Sequence, residues 1–342
     1  MSLRNMDILR RWIFPGLRLK SDLKVQKIIR SIKPDDFFVF TDILYRQEKN
    51  MIGLVKITGE SMTKNPVFLS VLAHPDDESF GMGGTLAHYA RQGCDVYLVC
   101  ATHGEAGDVE QQHLEGHSSI AELRESELRC ASGHLGLKGV FFLPYRDSGM
   151  PGSPDNKHPE AQINASVDEV AGKVVKYIRE LKPDVVLTFD PIGGYRHPDH
   201  IHIHKATVLA FDHSADPSFH PEAGSPFQPS KLYFHTFPRW FLRFIVNVMP
   251  IFGRDPTKFG RNGDIDMKAI AEVNFPTHAK IDIRDVLKVK EAASACHASQ
   301  GGMGMRRGVM GWFVKIFGEK EDYMQAYPQV DGKFKPKTDL LS

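Results

Sequence analysis

Between residues 67 and 211, short apolar runs alternate with longer stretches in which apolar residues recur every three or four positions. Val67 to Ala73 is almost continuously apolar and rich in β-branched residues, the pattern of a strand buried on both faces. A helical pattern follows from Gly83 to Gln92, stops at Gly93, and gives way to a second apolar strand over Asp95 to Thr102. Ser119 with Glu122 reads as a capping box that opens a helix through Leu123, Leu128 and Cys130, ending near Gly136. After a short strand, Val140 to Leu143, Ser166 with Glu169 opens another helix through Val170, Val174, Tyr177 and Ile178. Pro183 stops that helix before the strand Asp184 to Phe189, and a further helix is expected from Pro198 to about Phe211. Strands alternating with helices in this way predict the α/β class: a Rossmann-like three-layer fold with a mostly parallel central sheet, expected over residues 65–300.

The flanks are less regular. Residues 214–230 carry Pro217, Pro221, Pro226 and Pro229 and read as an exposed loop, followed by a strand-like Leu232 to Phe237. The aromatic stretch Phe237 to Phe252 reads either as a lid or as a buried helix. The expected organisation is an N-terminal basic amphipathic extension over 1–65, a main domain over 66–302 with a variable, lid-like insertion at 214–270, and a C-terminal tail over 303–342 packed on the domain. Residues 1–33 hold nine Lys or Arg against Asp7 and Asp22, interleaved with Ile8, Trp12, Ile13, Phe14 and Leu17. That pattern fits peripheral contact with an anionic membrane surface; the Pro15-Gly16 break favours instead an amphipathic helix docked on the domain.

Composition narrows the function classes. The 342 residues balance 43 Lys plus Arg against 42 Asp plus Glu, so no bulk attraction to nucleic acid is expected and none is assigned as a partner. The four cysteines form no CxxC pair and read as reduced thiols, which with the lack of a signal-peptide pattern points to a cytoplasmic address. No run reaches the roughly 18 apolar residues of a membrane span.

The chemistry concentrates in two turns. After the first strand the chain reads His74-Pro75-Asp76-Asp77-Glu78, and after a later strand Asp190-Pro191-Ile192-Gly193-Gly194-Tyr195-Arg196-His197-Pro198-Asp199-His200. Ligands of parallel α/β sheets bind at the carboxyl ends of strands, and packing several acids into one tight turn costs repulsion unless a cation sits among them. A single His-Pro-Asp is more often a helix N-cap, but two such turns at equivalent strand ends can supply the three protein ligands of a catalytic zinc. His88, His113, His117, His202 and His204 read as surface residues. Gly81, Gly83 and Gly84 lack the last glycine of a dinucleotide fingerprint, and the acidic turn before them would repel a pyrophosphate; they are expected to let a helix approach the sheet closely.

The two turns together resemble the signature of the PIG-L/LmbE family of zinc-dependent N-acetylglucosaminyl deacetylases. Thr102 to Gly107, Arg124 to Leu128, Arg146-Asp147-Ser148-Gly149-Met150, Gly194-Tyr195 and His297-Ala298-Ser299-Gln300 are similar to further family blocks, so the likeness spans residues 67–302. The Arg146 to Met150 block is closest to the branch acting on the thiol sugars mycothiol and bacillithiol. The resemblance implies zinc, with Fe²⁺ suited to the same donors, on His74, Asp77 and His200. It also implies Asp76 as general base, His197 at the oxyanion, Asp199 orienting a histidine and Tyr195 near the substrate carbonyl. Arg124, Asp147 and Glu105 would contact sugar hydroxyls and Met150 would border the pocket. Without the resemblance, Arg124 reads equally as a surface ion pair with Glu127, and Glu78 as a helix cap or an orienting acid. The expected partner is a small amino-sugar substrate, with homo-oligomerisation open; the rival readings are an amidase removing a larger acyl group and a nucleotide-binding Rossmann protein without hydrolase chemistry.

Overall fold

The computed structural model describes residues 64–259, 263, 265–302, 319–332 and 334–342. Apart from Lys64 and Asn65, the expected N-terminal extension lies outside the described residues, and so do the proposed membrane contact of residues 1–33 and residues 303–318 of the tail.

Seven strands form one sheet: β1 (Val67–Leu72), β2 (Asp95–Thr102), β3 (Gly139–Tyr145), β4 (Val185–Phe189), β5 (Lys231–Thr236), β6 (Ala279–Asp282) and β7 (Lys320–Tyr327). Their order is β3-β2-β1-β4-β5-β7-β6. The first four pairings in that order are parallel, and β7 runs antiparallel to both β5 and β6. Every residue of β1 and β4 is buried, as their unbroken apolar runs require of central parallel strands.

Among the described residues, besides a kinked four-residue turn of helix at Gly193–Arg196, the helices are α1 (Asp77–Phe80), α2 (Gly83–Arg91), α3 (Ile120–Leu135), α4 (Val167–Leu181), α5 (Pro198–His213), α6 (Arg239–Val248), α7 (Met267–Glu272) and α8 (Leu287–Cys296). Ser119 and Ser166 cap α3 and α4 by accepting the Glu122 and Glu169 amides, as their spacing predicts. The group α2, α3 and α8 packs together, and α4 packs on α5. Right-handed crossovers place these two groups on opposite faces, because the chain steps from β1 to β3 in one direction and from β4 to β5 in the other. The helix α2 is held by a distant carboxylate: Glu321 of β7 accepts the Gly84 and Thr85 amides and the Lys290 ammonium. At Gly84 a Cβ would lie 2.5 Å from Ile283, so this glycine does permit the close approach expected of it.

Three expectations need correction. The sheet does not end near residue 300: the C-terminal region supplies β7, which is inserted between β5 and β6. Its polar, mixed sequence carries no strand signal, because its burial comes from neighbours on both sides. Cys130 and Cys296 are not free thiols but a disulfide, formed because α3 and α8 lie side by side; a sequence separation of 166 hides this. His204 is buried with its Nδ1 2.8 Å from the Phe189 carbonyl oxygen, tying α5 to the end of β4 instead of facing solvent. The stretch after Phe237 forms α6 and a short 3₁₀ turn, and leaves Phe237 and Ile251 exposed. Among the described residues no helix is long and apolar enough to cross a membrane.

Candidate metal centre

The strand order reverses between β1 and β4, with the chain leaving in opposite directions on either side. At such a switch point the loops beyond the strand ends part and leave a crevice. The His74 turn follows β1 and the His197 to His200 turn follows β4, so both acidic, histidine-bearing turns flank that crevice.

Each turn needs backbone that ordinary residues resist. Gly193 and Gly194 have φ of +64° and +66°, and a Cβ on Gly193 would lie 2.7 Å from the His200 Cβ. Asp190 fixes the start of this turn, its Oδ1 accepting the Ile192 and Gly194 amides. In the first turn Asp76 itself has φ of +132°, a strained value for a side chain with a Cβ. Its amide donates to Glu78 Oε2 at 3.0 Å, and Glu78 Oε1 lies 2.7 Å from His297 Nε2. Glu78 and His297 are both completely buried.

Three side chains converge between the turns. His74 Nδ1 lies 3.1 Å from His200 Nε2, His200 Nε2 lies 3.3 Å from Asp77 Oδ1, and His74 Nδ1 lies 3.5 Å from Asp77 Oδ2. Atoms bound to one tetrahedral zinc at about 2.0–2.1 Å would be spaced by about 3.3 Å. The outer ring nitrogens are already engaged: His200 Nδ1 lies 3.2 Å from the Gly193 carbonyl oxygen, and His74 Nε2 lies 3.2 Å from Asp199 Oδ2. Donation outward by both rings leaves two nitrogen lone pairs and a carboxylate facing one another, an arrangement that needs a cation. The same demand shows in His74: burial lowers its pKa, yet Asp147, then Asp199 and Asp77, hold it well above the ordinary imidazole value. The donor set therefore fits a divalent metal, and three imidazoles, His74, His197 and His200, offer nitrogens within 4.8 Å of one another.

Around these atoms the remaining groups are fixed in position. Asp199, fully buried, accepts the Ser148 amide at 2.8 Å and the Ser148 hydroxyl, which leaves it oriented toward His74. His197 caps α5 by accepting the Asp199 amide at Nδ1, so its proton resides on Nε2. Burial, helped by His74 and His200, drives its pKa well below the ordinary value and keeps the ring neutral. Tyr195 stands edge-on to His200, ring centroids 4.9 Å apart, and burial first of all keeps its hydroxyl protonated. The Asp76 carboxyl is pushed up to about 7 by burial, against the opposing pull of Arg124.

Arg124 does not form the surface pair with Glu127, whose carboxylate instead accepts the Ser299 amide and hydroxyl. Only 3% exposed, Arg124 donates to the Pro75 carbonyl at 2.6 Å, Asp76 Oδ2 at 2.8 Å and the Gly104 carbonyl at 2.9 Å. Asp147 is as deeply buried, with Oδ1 3.4 Å from His74 Nε2 and accepting the Gly149 amide. Glu105 and Met150, on the loops after β2 and β3, are partly exposed, and Glu105 accepts the Asp147 amide. Sequence reasoning assigned no role to His297 or Ser148; both belong to blocks noted for their family likeness, but their contacts cross between elements and leave no local signal. Beside the second turn a cavity of about 210 Å³ opens between Ile192 and Gly194 on one side and Phe237, Leu242 and Phe275 on the other.

The α/β sheet thus carries, at its switch point, a buried histidine–carboxylate cluster with the donor atoms to hold a metal ion. The comparisons name the family. The PIG-L family, described as GlcNAc-PI de-N-acetylase, matches residues 69–211. A 1D-myo-inositol 2-acetamido-2-deoxy-alpha-D-glucopyranoside deacetylase from Geodermatophilus obscurus is 38% identical over 248 residues, 70% of this chain and 84% of that protein. A protein of the same description from Streptomyces avermitilis is 38% identical over 247 residues, 68% of this chain and 82% of the relative. The chain belongs to the PIG-L family. In fold it is similar to the N,N'-diacetylchitobiose deacetylase from Pyrococcus horikoshii, with a TM-score of 0.51, 22% identity and coverage of 76% of this chain and 83% of that one.

Proposed function

We propose that the chain is a metal-dependent deacetylase that hydrolyses the acetamide of an N-acetylglucosamine conjugate to acetate and a free amine. The observation that carries this reading is the convergence of His74 Nδ1, His200 Nε2 and Asp77 within 3.1–3.5 Å, beside an Asp76 carboxyl that titrates near neutrality. The relatives' described substrate, an N-acetylglucosaminyl inositol, is the first conjugate to test.

His74, Asp77 and His200 would hold the metal, which we take to be zinc; when bound it supplies Lewis-acid chemistry that makes water acidic and polarises a carbonyl. Asp76 accepts the proton of the attacking water, a role that suits a carboxyl poised near 7. The neutral His197 presents Nε2–H to the oxygen on which charge develops, and the protonated Tyr195 hydroxyl is a second donor for it. Asp76 then returns its proton to the departing amine. Asp199, locked by Ser148, keeps His74 in the tautomer whose Nδ1 is free to bind. Arg124 and Asp147 have too little exposed surface to serve a sugar, and we assign them to holding Asp76 and His74; Glu105 and Met150 are the sugar-facing side chains.

The test is amine release from N-acetylglucosaminyl inositol and simpler N-acetylglucosamine glycosides, with and without a chelator, by wild type and Asp76→Asn. Chelator-sensitive release is expected, with the variant retaining metal but losing about 10²–10⁴-fold in kcat. Undiminished turnover by Asp76→Asn would refute the assignment of the base, and no release from any glycoside by metal-loaded protein would refute the substrate class.

A further inference from the structure

Outside the centre described above, a second set of potential metal ligands lies on the C-terminal turns of α3 and α8. Cys130 and His134 are four residues apart in α3, which puts them on one helix face, and Cys296 is the last residue of the neighbouring α8. One ligand atom from each of the three lies within 4.8 Å of the others. Cys130 and His134 are exposed and Cys296 is partly so, within reach of solvent, reductants and ions. The two cysteines are paired as a disulfide with Cα atoms 5.9 Å apart. The sulfurs of two thiolates on one tetrahedral zinc sit about 3.8 Å apart, an opening that side-chain rotation can provide without moving either helix far.

We infer that Cys130, His134 and Cys296 form a second, redox-gated zinc site. In the oxidised protein the sulfurs bond each other and no thiolate is available. A dithiol reductant delivers two electrons and two protons to the S–S bond, is itself oxidised to a cyclic disulfide, and leaves two thiols. Zinc then displaces both thiol protons to solvent and binds two thiolates and the neutral His134 imidazole, with a fourth position open to water. Either link, covalent or metallic, ties the end of α8 to α3. This matters to the first centre, because His297 follows Cys296 directly and holds Glu78.

The proposal predicts a difference in metal stoichiometry that is independent of how full the first centre is. Full-length protein is prepared oxidised, with thiol titration in denaturant reading two free cysteines, Cys94 and Cys100, and also prepared fully reduced. Each form is equilibrated with Zn²⁺, desalted, and its metal measured. Reduced protein should carry one zinc per chain more than oxidised protein, and Co²⁺ in its place should give thiolate-to-metal charge-transfer absorption. Cys130→Ser and His134→Ala, checked for folding by circular dichroism, should each lose the additional zinc. Equal zinc in the two forms overturns the site. So does retention of the additional zinc in either variant, and four free thiols in the unreduced protein overturn the gating.

Discussion

Arg124 offers the sharpest separation between a residue that touches substrate and one that holds the catalytic acid. Arg124→Met keeps an unbranched apolar stem but removes three charge-assisted hydrogen bonds, to the Pro75 carbonyl, the Gly104 carbonyl and the Asp76 carboxylate. Such bonds contribute about 1.5–3 kcal/mol each, but water entry and the apolar burial of Met offset part of the loss. Breaking a buried ion pair costs about 3–5 kcal/mol, and this is the expected loss at a site only 3% exposed. For a folded unit of this size that corresponds to a fall in melting temperature of about 5–9 °C. Catalysis should change in a characteristic way. Arg124 lowers the Asp76 pKa, so its removal pushes that carboxyl above about 7, and the acid limb of the kcat profile should move to higher pH. Release of the strained Asp76 backbone from its tether should cost about 10²-fold in kcat at neutral pH. The assays are thermal unfolding of metal-loaded protein and a kcat and KM series from pH 5 to 9. A melting temperature within about 2 °C of wild type, with kcat and its acid limb unchanged and only KM raised, would refute the reasoning and return Arg124 to the sugar.

Two further perturbations follow from the same geometry. Asp199→Ala should weaken zinc binding by about 10–100-fold, measured by competition with a chromophoric chelator, because His74 loses the acceptor that fixes its tautomer; an unchanged affinity would show that the outer bond is dispensable. For Glu321, burial alone would raise the pKa, but Lys290 first and the Thr85 side chain after it bring it below the ordinary value of 4.5. Its contribution to stability is therefore full above that value and lost as pH falls through the depressed one. Glu321→Gln should cost about 1.5–3 kcal/mol at neutral pH and flatten the acid side of the stability profile, and superposable profiles would contradict this.

The parallel part of the sheet was legible because each strand from Val67 to Phe189 is a run of apolar residues closed by a turn signal and followed by an amphipathic helix. The strand order was not legible, and β7 least of all, since it owes its position to partners on both sides and its sequence, Lys320 to Tyr327, is mostly polar. The proposed metal ligands lie in two short motifs because a strand end places all their side chains within one or two residues. The support behind them does not. His297 reaches Glu78 across 219 residues and Ser299 reaches Glu127 across 172, contacts that depend on how α8 crosses α3 and α1. Arg124 shows the same limit within a helix: a spacing of three from Glu127 suggests a surface pair, and only the fold reveals that its face points into the crevice.

The placement of β7 between β5 and β6 also sets an order on the birth of the molecule. Among the described strands β6 pairs with β7 alone, its other edge meeting the still later Lys337 in an isolated bridge at Ala279, and about 45 residues separate the end of β6 from the end of β7. At about 5–20 residues per second, a ribosome needs several seconds to bridge that interval. Throughout it the edge of β5 stands open and Glu321 has not yet reached the start of α2. The nascent chain therefore carries both histidine-bearing turns before it can complete the sheet that supports them. The final strand closes the assembly like a keystone, and a message truncated before it would yield a chain with its ligands made but an exposed strand edge available for aggregation.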